Sequence, residues 1–285
     1  MKRNVVFATC RAMPLLQPDD VPIAAALEAR GCTVTPAAWN GPFEPFERAD
    51  LVVVRSTWDY FEEAEAFVAW LQRLEGVSGV VCNAPSLMLW NSNKTYLLDL
   101  AKRGAPLPPT RLSQPNVAAL VAAMHELNLH EAIVKPVVGA GASGLTIMRR
   151  DDRASIERAA AALKHPGLVQ PLIPEIRTLG ETSCTFFGGE FSHAVVKRPK
   201  AGSILVQAEH GGRTERVTLI AEQLAVSRSM LELLPEPAVF ARVDMVFGAT
   251  ATMLMEIEVI EPELFVLHDE SAADRLADLL LQTPT

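Results

Sequence analysis

The sequence predicts an α/β protein in three parts: a small parallel-sheet domain over residues 1–85, then two mixed α+β subdomains, 86–167 and 168–285. Three observations carry that prediction. Strand-like and helix-like patterns alternate through the first 85 residues, as parallel βαβ units do. The stretch Ile133–Met148, IVKPVVGAGASGLTIM, reads as strand, lysine, proline, glycine-rich loop and returning strand. Near the end, Ala238–Phe247 and Thr252–Ile260 are apolar strands that carry charged residues at alternate positions.

Composition narrows the class. A chain of 285 residues is long enough for two or three compact units around a sizeable core. Its formal net charge of −8 argues against a nucleic-acid surface. No apolar run reaches the ~18–20 residues that span a bilayer, so no membrane partner is expected. The basic start at Lys2-Arg3 precedes too short an apolar run for a signal peptide. Four cysteines, Cys10, Cys32, Cys82 and Cys184, show neither CxxC nor Cys–His spacing. Buried, reduced thiols in a cytoplasmic protein are the expectation.

The elements follow in order. Asn4–Thr9 is a buried strand, and Val21–Arg30 is a helix that stops at Gly31, a natural position for left-handed backbone. Cys32–Ala38 and Leu51–Val54 are further strands. Glu62–Leu74 is an amphipathic helix with Phe67, Trp70, Leu71 and Leu74 on one stripe, and Val80–Asn83 closes the sheet. Ligands on such sheets sit at the C-terminal strand ends, which places Arg55, Ser56, Thr57 and Asp59 in a candidate site. The same residues also fit a plain structural role, with Asp59 as a helix cap and Arg55 as a surface charge.

A helix over Tyr96–Lys102, capped by Ser92 or Asn93, puts Lys94 in its first turn. A cation there opposes the helix dipole by a few tenths of a kcal/mol, which a bound anion would explain. Gly104 ends that helix, Ala105–Thr110 is a stiff linker, and Val117–Leu127 and Ala154–Leu163 are helices flanking the strand–loop–strand unit. Leu168–Pro174 reads as an extended, proline-restricted segment where a hinge would lie. Cys184–Phe187 and Phe191–Val196 form a hairpin around Gly188-Gly189, delivering Lys197-Arg198-Pro199-Lys200, the densest basic cluster in the chain. Leu219–Leu234 is helical.

The chemistry gathers at two places. Gly139, Gly141 and Gly144 satisfy G-x-G-x-x-G, yet a dinucleotide turn requires a helix directly afterwards and an acidic residue about 20 positions on. Leu145–Met148 is instead apolar and partly β-branched, a returning strand. The loop therefore reads as a hairpin whose backbone N–H groups fold over a polyphosphate, with Lys135 as a point charge. In the last strand, alternation puts Leu254, Glu256, Glu258 and Ile260 on one face. Arg242 and Asp244 share a face of the strand before it. If the two strands pair, at ~4.8 Å between strands and ~7 Å from i to i+2, three carboxylates converge in a way that suits one or two Mg²⁺ ions and substrate phosphates. An exposed strand face is the alternative.

The order of these motifs, from Lys94 through Lys135-Pro136 and its glycine loop, Gln170-Pro171-Leu172-Ile173, Gly180-Glu181, Arg198 and Arg242-x-Asp244 to Glu256-x-Glu258, resembles that of ATP-grasp enzymes over about residues 83–265. NAPSLMLWNSNK, VKPVVGAGAS and QPLIPEIRTLGE are similar to prokaryotic glutathione synthetases. RSTWDY, SHAVVKRP, VQAEHGG, ARVD and MEIEVIEPELF look closer to the branch of cyclo-ligases that form cycloserine.

That resemblance implies an ATP-dependent ligase joining a carboxylic acid to an amine through an acyl phosphate, inter- or intramolecularly, on a small amino-acid or peptide-like acid. It implies Lys94 and Lys135 on the ATP phosphates and Gly139, Gly141, Ser143 and Gly144 in the mobile lid. Gln170 to Ile173 would meet adenine, Glu181 the ribose, and Lys197 also the nucleotide. Asp244, Glu256 and Glu258 would hold one or two Mg²⁺, with Mn²⁺ as a substitute. Arg198 and Arg242 would steady the transferring phosphoryl group. Arg55, Ser56, Thr57 and Asp59 would meet the substrate. A homodimer or homotetramer follows by analogy. One departure stands out: the relatives usually carry Asp-Phe-Arg where this chain has Ser203, Ile204 and Leu205. A non-catalytic, ATP-binding regulatory or scaffolding protein is the rival reading that this loss supports.

Overall fold

The computed structural model describes residues 2–141, 143–200, 203, 205–206 and 211–283. In the first sheet, β1 (Asn4–Thr9), β2 (Thr33–Ala38), β3 (Leu51–Val54) and β4 (Val80–Cys82) run parallel in the order β2-β1-β3-β4. The chain reverses its direction of winding between β1 and β3, so the loops leaving those two strands flank a crevice. Helix Val21–Ala29 is turned off by Gly31 at φ +88. Helix Ala64–Leu74 buries the predicted stripe of Phe67, Trp70, Leu71 and Leu74. The Phe67 ring lies 4.7 Å from Tyr60 and 5.1 Å from Trp39, fixing the loop that follows β3. All four cysteines are buried and unpaired.

The second sheet consists of β5 (Arg111–Ser113), β6 (Glu131–Pro136), β7 (Thr146–Arg149) and β8 (Gly167–Pro171), antiparallel in the order β5-β8-β6-β7. Helices Val117–Glu126 and Arg153–Ala162 share its core through Leu120, Met124, Val134, Ile156 and Val169. Asn116 and Asp152 cap these helices by accepting from Ala119 N at 2.9 Å and Ser155 N at 3.1 Å. The segment read as merely extended is thus partly a central strand, β8, and β5 had no signal of its own in three residues.

The third sheet holds β9 (Glu181–Phe187), β10 (Glu190–Arg198), β11 (Arg213–Val217), β12 (Phe240–Phe247) and β13 (Thr252–Glu258), ordered β11-β10-β9-β12-β13 and antiparallel throughout. Arg242 faces Glu258 and Asp244 faces Glu256 in register. A bulge between Asp244 and Met245 inserts Met255 and shifts the alternation below it. Leu254 therefore joins Ile257 and Val259 in the core instead of sharing the face of Glu256, as strict period 2 had placed it. The helix expected over Leu219–Leu234 is shorter, Ala221–Ser229, with a 3₁₀ turn after it.

Helix Ala272–Gln282 returns the chain to the first domain. Leu276, Ala277 and Leu280 pack with Leu27, Phe7 and Phe240, and Arg30 reaches Asp274 at 2.8 Å and Asp278 at 2.7 Å. Asn83 locks the same seam. It is fully buried, donates to Phe240 O at 2.8 Å and Val259 O at 2.7 Å, and accepts from Val239 N at 2.6 Å. Asn83→Ala orphans those buried backbone groups and is expected to destabilise the protein by about 3 kcal/mol, measurable by urea unfolding.

Candidate active site

The candidate site lies where β6 of the second sheet meets β13 of the third. Lys135, the fifth residue of β6, brings its Nζ to 3.5 Å from Met255 O, one residue from Glu256. Gly144 sustains the hairpin above it: its φ is +76, and a Cβ there would stand 2.7 Å from Pro136 Cγ. Gly139 and Ala140 open the loop, Gly141 has φ +59, and Ser143 N donates to Ala140 O at 2.9 Å. Across the cleft, Lys94 is held by its own N–H donating to Val137 O at 2.6 Å. It precedes the helix, which begins at Tyr96, so the lysine does not oppose the dipole from a first turn as expected. Asn93 instead makes a side-chain turn, accepting from Thr95 N at 3.0 Å. The ammonium of Lys94 meets Glu256 directly.

The carboxylates are wrapped in cations. Arg242 clasps Asp244 with Nε at 3.0 Å and Nη2 at 2.9 Å, and contacts Glu258 through the same Nη2. Lys197 bridges Glu181 at 2.7 Å and Asp244 at 3.1 Å. Gly180, at φ +82 and with room for no Cβ beside Lys197 O, lets β9 begin close enough for that bridge. Ser183 donates to Asp244 Oδ1 at 2.6 Å. Tyr96 and Asn91 hold β13 by donating to Ile257 O at 2.7 and 2.9 Å. Neither role shows in the local pattern, since both residues act on backbone, although Asn91 lies within the NAPSLMLWNSNK motif.

Electrostatics follow from burial and neighbours. Burial acts to raise Asp244 and Glu256, but Arg242 and Lys197 on the first, and Lys94 and Lys135 on the second, hold both below the usual carboxylate range. Burial dominates at Glu258, pushed up to about 7 despite Arg242, and it also raises Glu181. Burial lowers Lys135, whereas at Lys94 it is overridden by Glu256 and the ammonium is raised.

Among the described residues no three carboxylates stand as a ready metal cage. Their oxygens are turned to Lys94, Lys197 and Arg242. Their chemistry still fits a hard divalent ion: three carboxylates on paired strands, with counter-ions that a nucleotide's phosphates can take over. Lys94→Met should therefore free Glu256. Mn²⁺ titration of the nucleotide-free protein is expected to show about tenfold tighter binding.

Other expected residues are placed differently. Gln170 is buried in β8, donates to Thr110 Oγ1 at 2.8 Å, and leaves its Oε1 without a partner. Ile173 packs with Val246 and Met255 beside the acidic strand. Arg198 is half-exposed and meets Glu215 at 3.4 Å, outside the cation–carboxylate network. Arg55 is no surface charge: at 2 % exposure it pairs with Asp20 at 2.7 Å and lies over the Phe240 ring. Ser56 donates to the same Asp20 at 3.3 Å, and Thr57 Oγ1 is buried without a partner. Asp59 accepts from Trp39 Nε1 at 2.6 Å and Asn40 Nδ2 at 3.1 Å. Trp58 Nε1 donates to Glu261 O at 2.9 Å, tying this loop to the chain just beyond β13. Leu205 is half-buried, its N–H on Ser203 Oγ. Ile204 of the departing segment, and Gln207–His210 of the VQAEHGG motif, lie outside the described residues.

Comparison with known proteins gives two family matches. Residues 5–83 match the N-terminal domain of the D-cycloserine synthetase DcsG, and residues 96–267 match the prokaryotic glutathione synthetase ATP-grasp domain. The chain is 31% identical over 281 residues to the cycloserine biosynthesis protein DcsG of Streptomyces lavendulae, covering 93% of each. A crystal structure of D-cycloserine synthetase DcsG superposes with a TM-score of 0.83 at 27% identity, covering 97% of this chain and 98% of that one. The ATP-grasp ligase PsnB, solved with a phosphomimetic variant of its minimal precursor, Mg and ADP, shares the fold: TM-score 0.65, 17% identity, 97% of both chains.

Proposed function

The chain belongs to the ATP-grasp ligases of the prokaryotic glutathione synthetase type, and on that premise we propose that it joins a small carboxylic acid to an amine in an ATP-dependent reaction through an acyl phosphate. One observation supports the reading. Lys135 of the second sheet brings its ammonium to Met255 O, next to Glu256 of the third, and Lys94 pairs with Glu256.

Lys94 and Lys135 would hold the phosphates under the Gly139–Gly144 hairpin, and Asp244, Glu256 and Glu258 would hold Mg²⁺. Bound ATP and Mg²⁺ supply the phosphoryl group and neutralise its charge. The four cations Lys94, Lys135, Lys197 and Arg242 face the carboxylates Glu181, Asp244, Glu256 and Glu258, so ATP with two Mg²⁺ keeps the cleft near neutral. Two ions, replaceable by Mn²⁺, are the expected count. Arg242 leaves the carboxylates to steady the developing acyl phosphate. Catalysis rests on positioning and charge, with no side-chain nucleophile. An amino-acid-like acid is the substrate class, and ring closure within one molecule is the form that the similarity to DcsG favours. Among the described residues no helix is long and apolar enough to cross a membrane. A screen of D- and L-amino acids with ATP and Mg²⁺ tests the reading: ADP release that depends on the acid and the amine supports it, and nucleotide binding with no turnover on any of them contradicts it.

A further inference from the structure

Leu264, Phe265 and Val266 make a tight turn after the last strand of the third sheet, and Phe265 holds left-handed backbone there, at φ 55 and ψ 35. A residue with a bulky side chain adopts that conformation at a cost and keeps it only where its surroundings impose it. Three buried side chains do so here. Asp19 is 7 % exposed and stands just ahead of helix Val21–Ala29. It accepts from Leu264 N at 2.8 Å through Oδ2 and from Val266 N at 2.7 Å through Oδ1. From the third sheet, His193 Nε2 and Thr185 Oγ1 both donate to Leu264 O, at 2.8 and 3.0 Å.

The strained turn meets Arg242. Arg242 Nη1 donates to Glu263 O at 3.2 Å, and its guanidinium carbon lies 5.7 Å from the centre of the Phe265 ring, within cation–π range. The other side of the same guanidinium, Nε and Nη2, takes Asp244 and Glu258. Arg242 is thus held from two sides, and the side away from the carboxylates is a turn that Asp19 ties down from the first domain. Asp20, the neighbour of Asp19, gives its two oxygens to Arg55 and Ser56 instead.

We propose that Asp19 is a positioning residue for Arg242. By fixing the turn at 264–266 it sets where Glu263 O and the Phe265 ring stand, and so which way the guanidinium faces when it leaves the carboxylates. Asp19 touches no reacting atom. Its importance to catalysis rests on the ligase reading, whereas its hold on the guanidinium does not.

NMR of the nucleotide-free protein carrying isotope-labelled arginine reads that hold directly. Rotation about the Nε–Cζ bond exchanges Nη1 with Nη2 and must break the bonds that each one makes. The Arg242 signals are assigned through the bonds of its own side chain. Asp19→Asn keeps the shape but sets an amide N–H against one of the two backbone donors, so rotation of Arg242 should quicken by about tenfold or more. Asp20→Asn is the comparison: it weakens the buried pair with Arg55 without touching the turn, and should leave that rotation within about twofold. Asp19→Glu keeps the charge with its oxygens displaced, should act in the same direction as Asp19→Asn, and takes its place if the asparagine variant does not fold. Unchanged rotation in the Asp19 variants, or an equal increase in Asp20→Asn, would overturn the assignment. With ATP, Mg²⁺ and the amino-acid panel, Asp19→Asn should lower kcat about tenfold and keep KM for ATP within about twofold. A raised KM with kcat intact would overturn it as well. Wild type releasing no ADP with any acid marks failure of the ligase reading, and the rotation measurement still decides the assignment.

Discussion

Glu256→Gln is expected to leave the fold in place and to cut ATP-dependent turnover by about 10²–10³. Glu256 stands opposite Asp244 in the strand pair and answers both lysines of the cleft. A neutral amide still accepts a hydrogen bond from Lys94, so the loss in stability should stay below about 2 kcal/mol. What disappears is one negative charge from the metal set. Mn²⁺ titration in the presence of ATP should weaken in parallel with turnover, while circular dichroism stays unchanged. A variant with full activity would remove Glu256 from the site.

Lys135→Met should separate stability from function. Burial holds the Lys135 ammonium below its ordinary value, and its recorded partner is the single carbonyl of Met255 at 3.5 Å. A lysine depressed in this way binds its proton less tightly folded than unfolded. At neutral pH its charge therefore opposes folding, and that cost fades only as pH rises through its folded value. An apolar side chain of similar length removes the penalty, so melting should stay level or rise by the equivalent of about 1 kcal/mol. Nucleotide affinity should fall by about tenfold or more, and turnover by about 10²–10³, because the phosphates lose their point charge. Calorimetry with ATP and Mg²⁺ reads the first effect and ADP release the second.

Much of this arrangement was legible in the sequence, for reasons that differ from one part to the next. The strand–loop–strand unit and the β12–β13 pair show because alternation of apolar and charged residues is local, and their register brings Asp244 to Glu256 as the shared faces implied. Alternation failed at Leu254, because a bulge depends on the partner strand. Lys94 was singled out for a local reason that does not hold: a helix that starts two residues later leaves its charge to Glu256, 162 positions away. Arg55 was read either as a substrate contact after β3 or as a surface charge; its ion pair with Asp20 and its place over Phe240 depend on residues distant in sequence. The structural roles of Asn83, Asn91 and Tyr96 were silent for the same cause, although the first and second lie in a motif that carried the resemblance. They serve main-chain atoms far away, and nothing in their neighbours reveals that.

The most direct test is a structure of the protein with a non-hydrolysable ATP analogue and Mg²⁺. The account predicts the triphosphate between Lys135 Nζ and the carboxylates of Asp244, Glu256 and Glu258, with Lys94 turned from Glu256 to a phosphate and adenine beside Gln170–Ile173. A nucleotide bound elsewhere, with the Lys94–Glu256 pair intact and the cleft below the glycine hairpin unfilled, would contradict it.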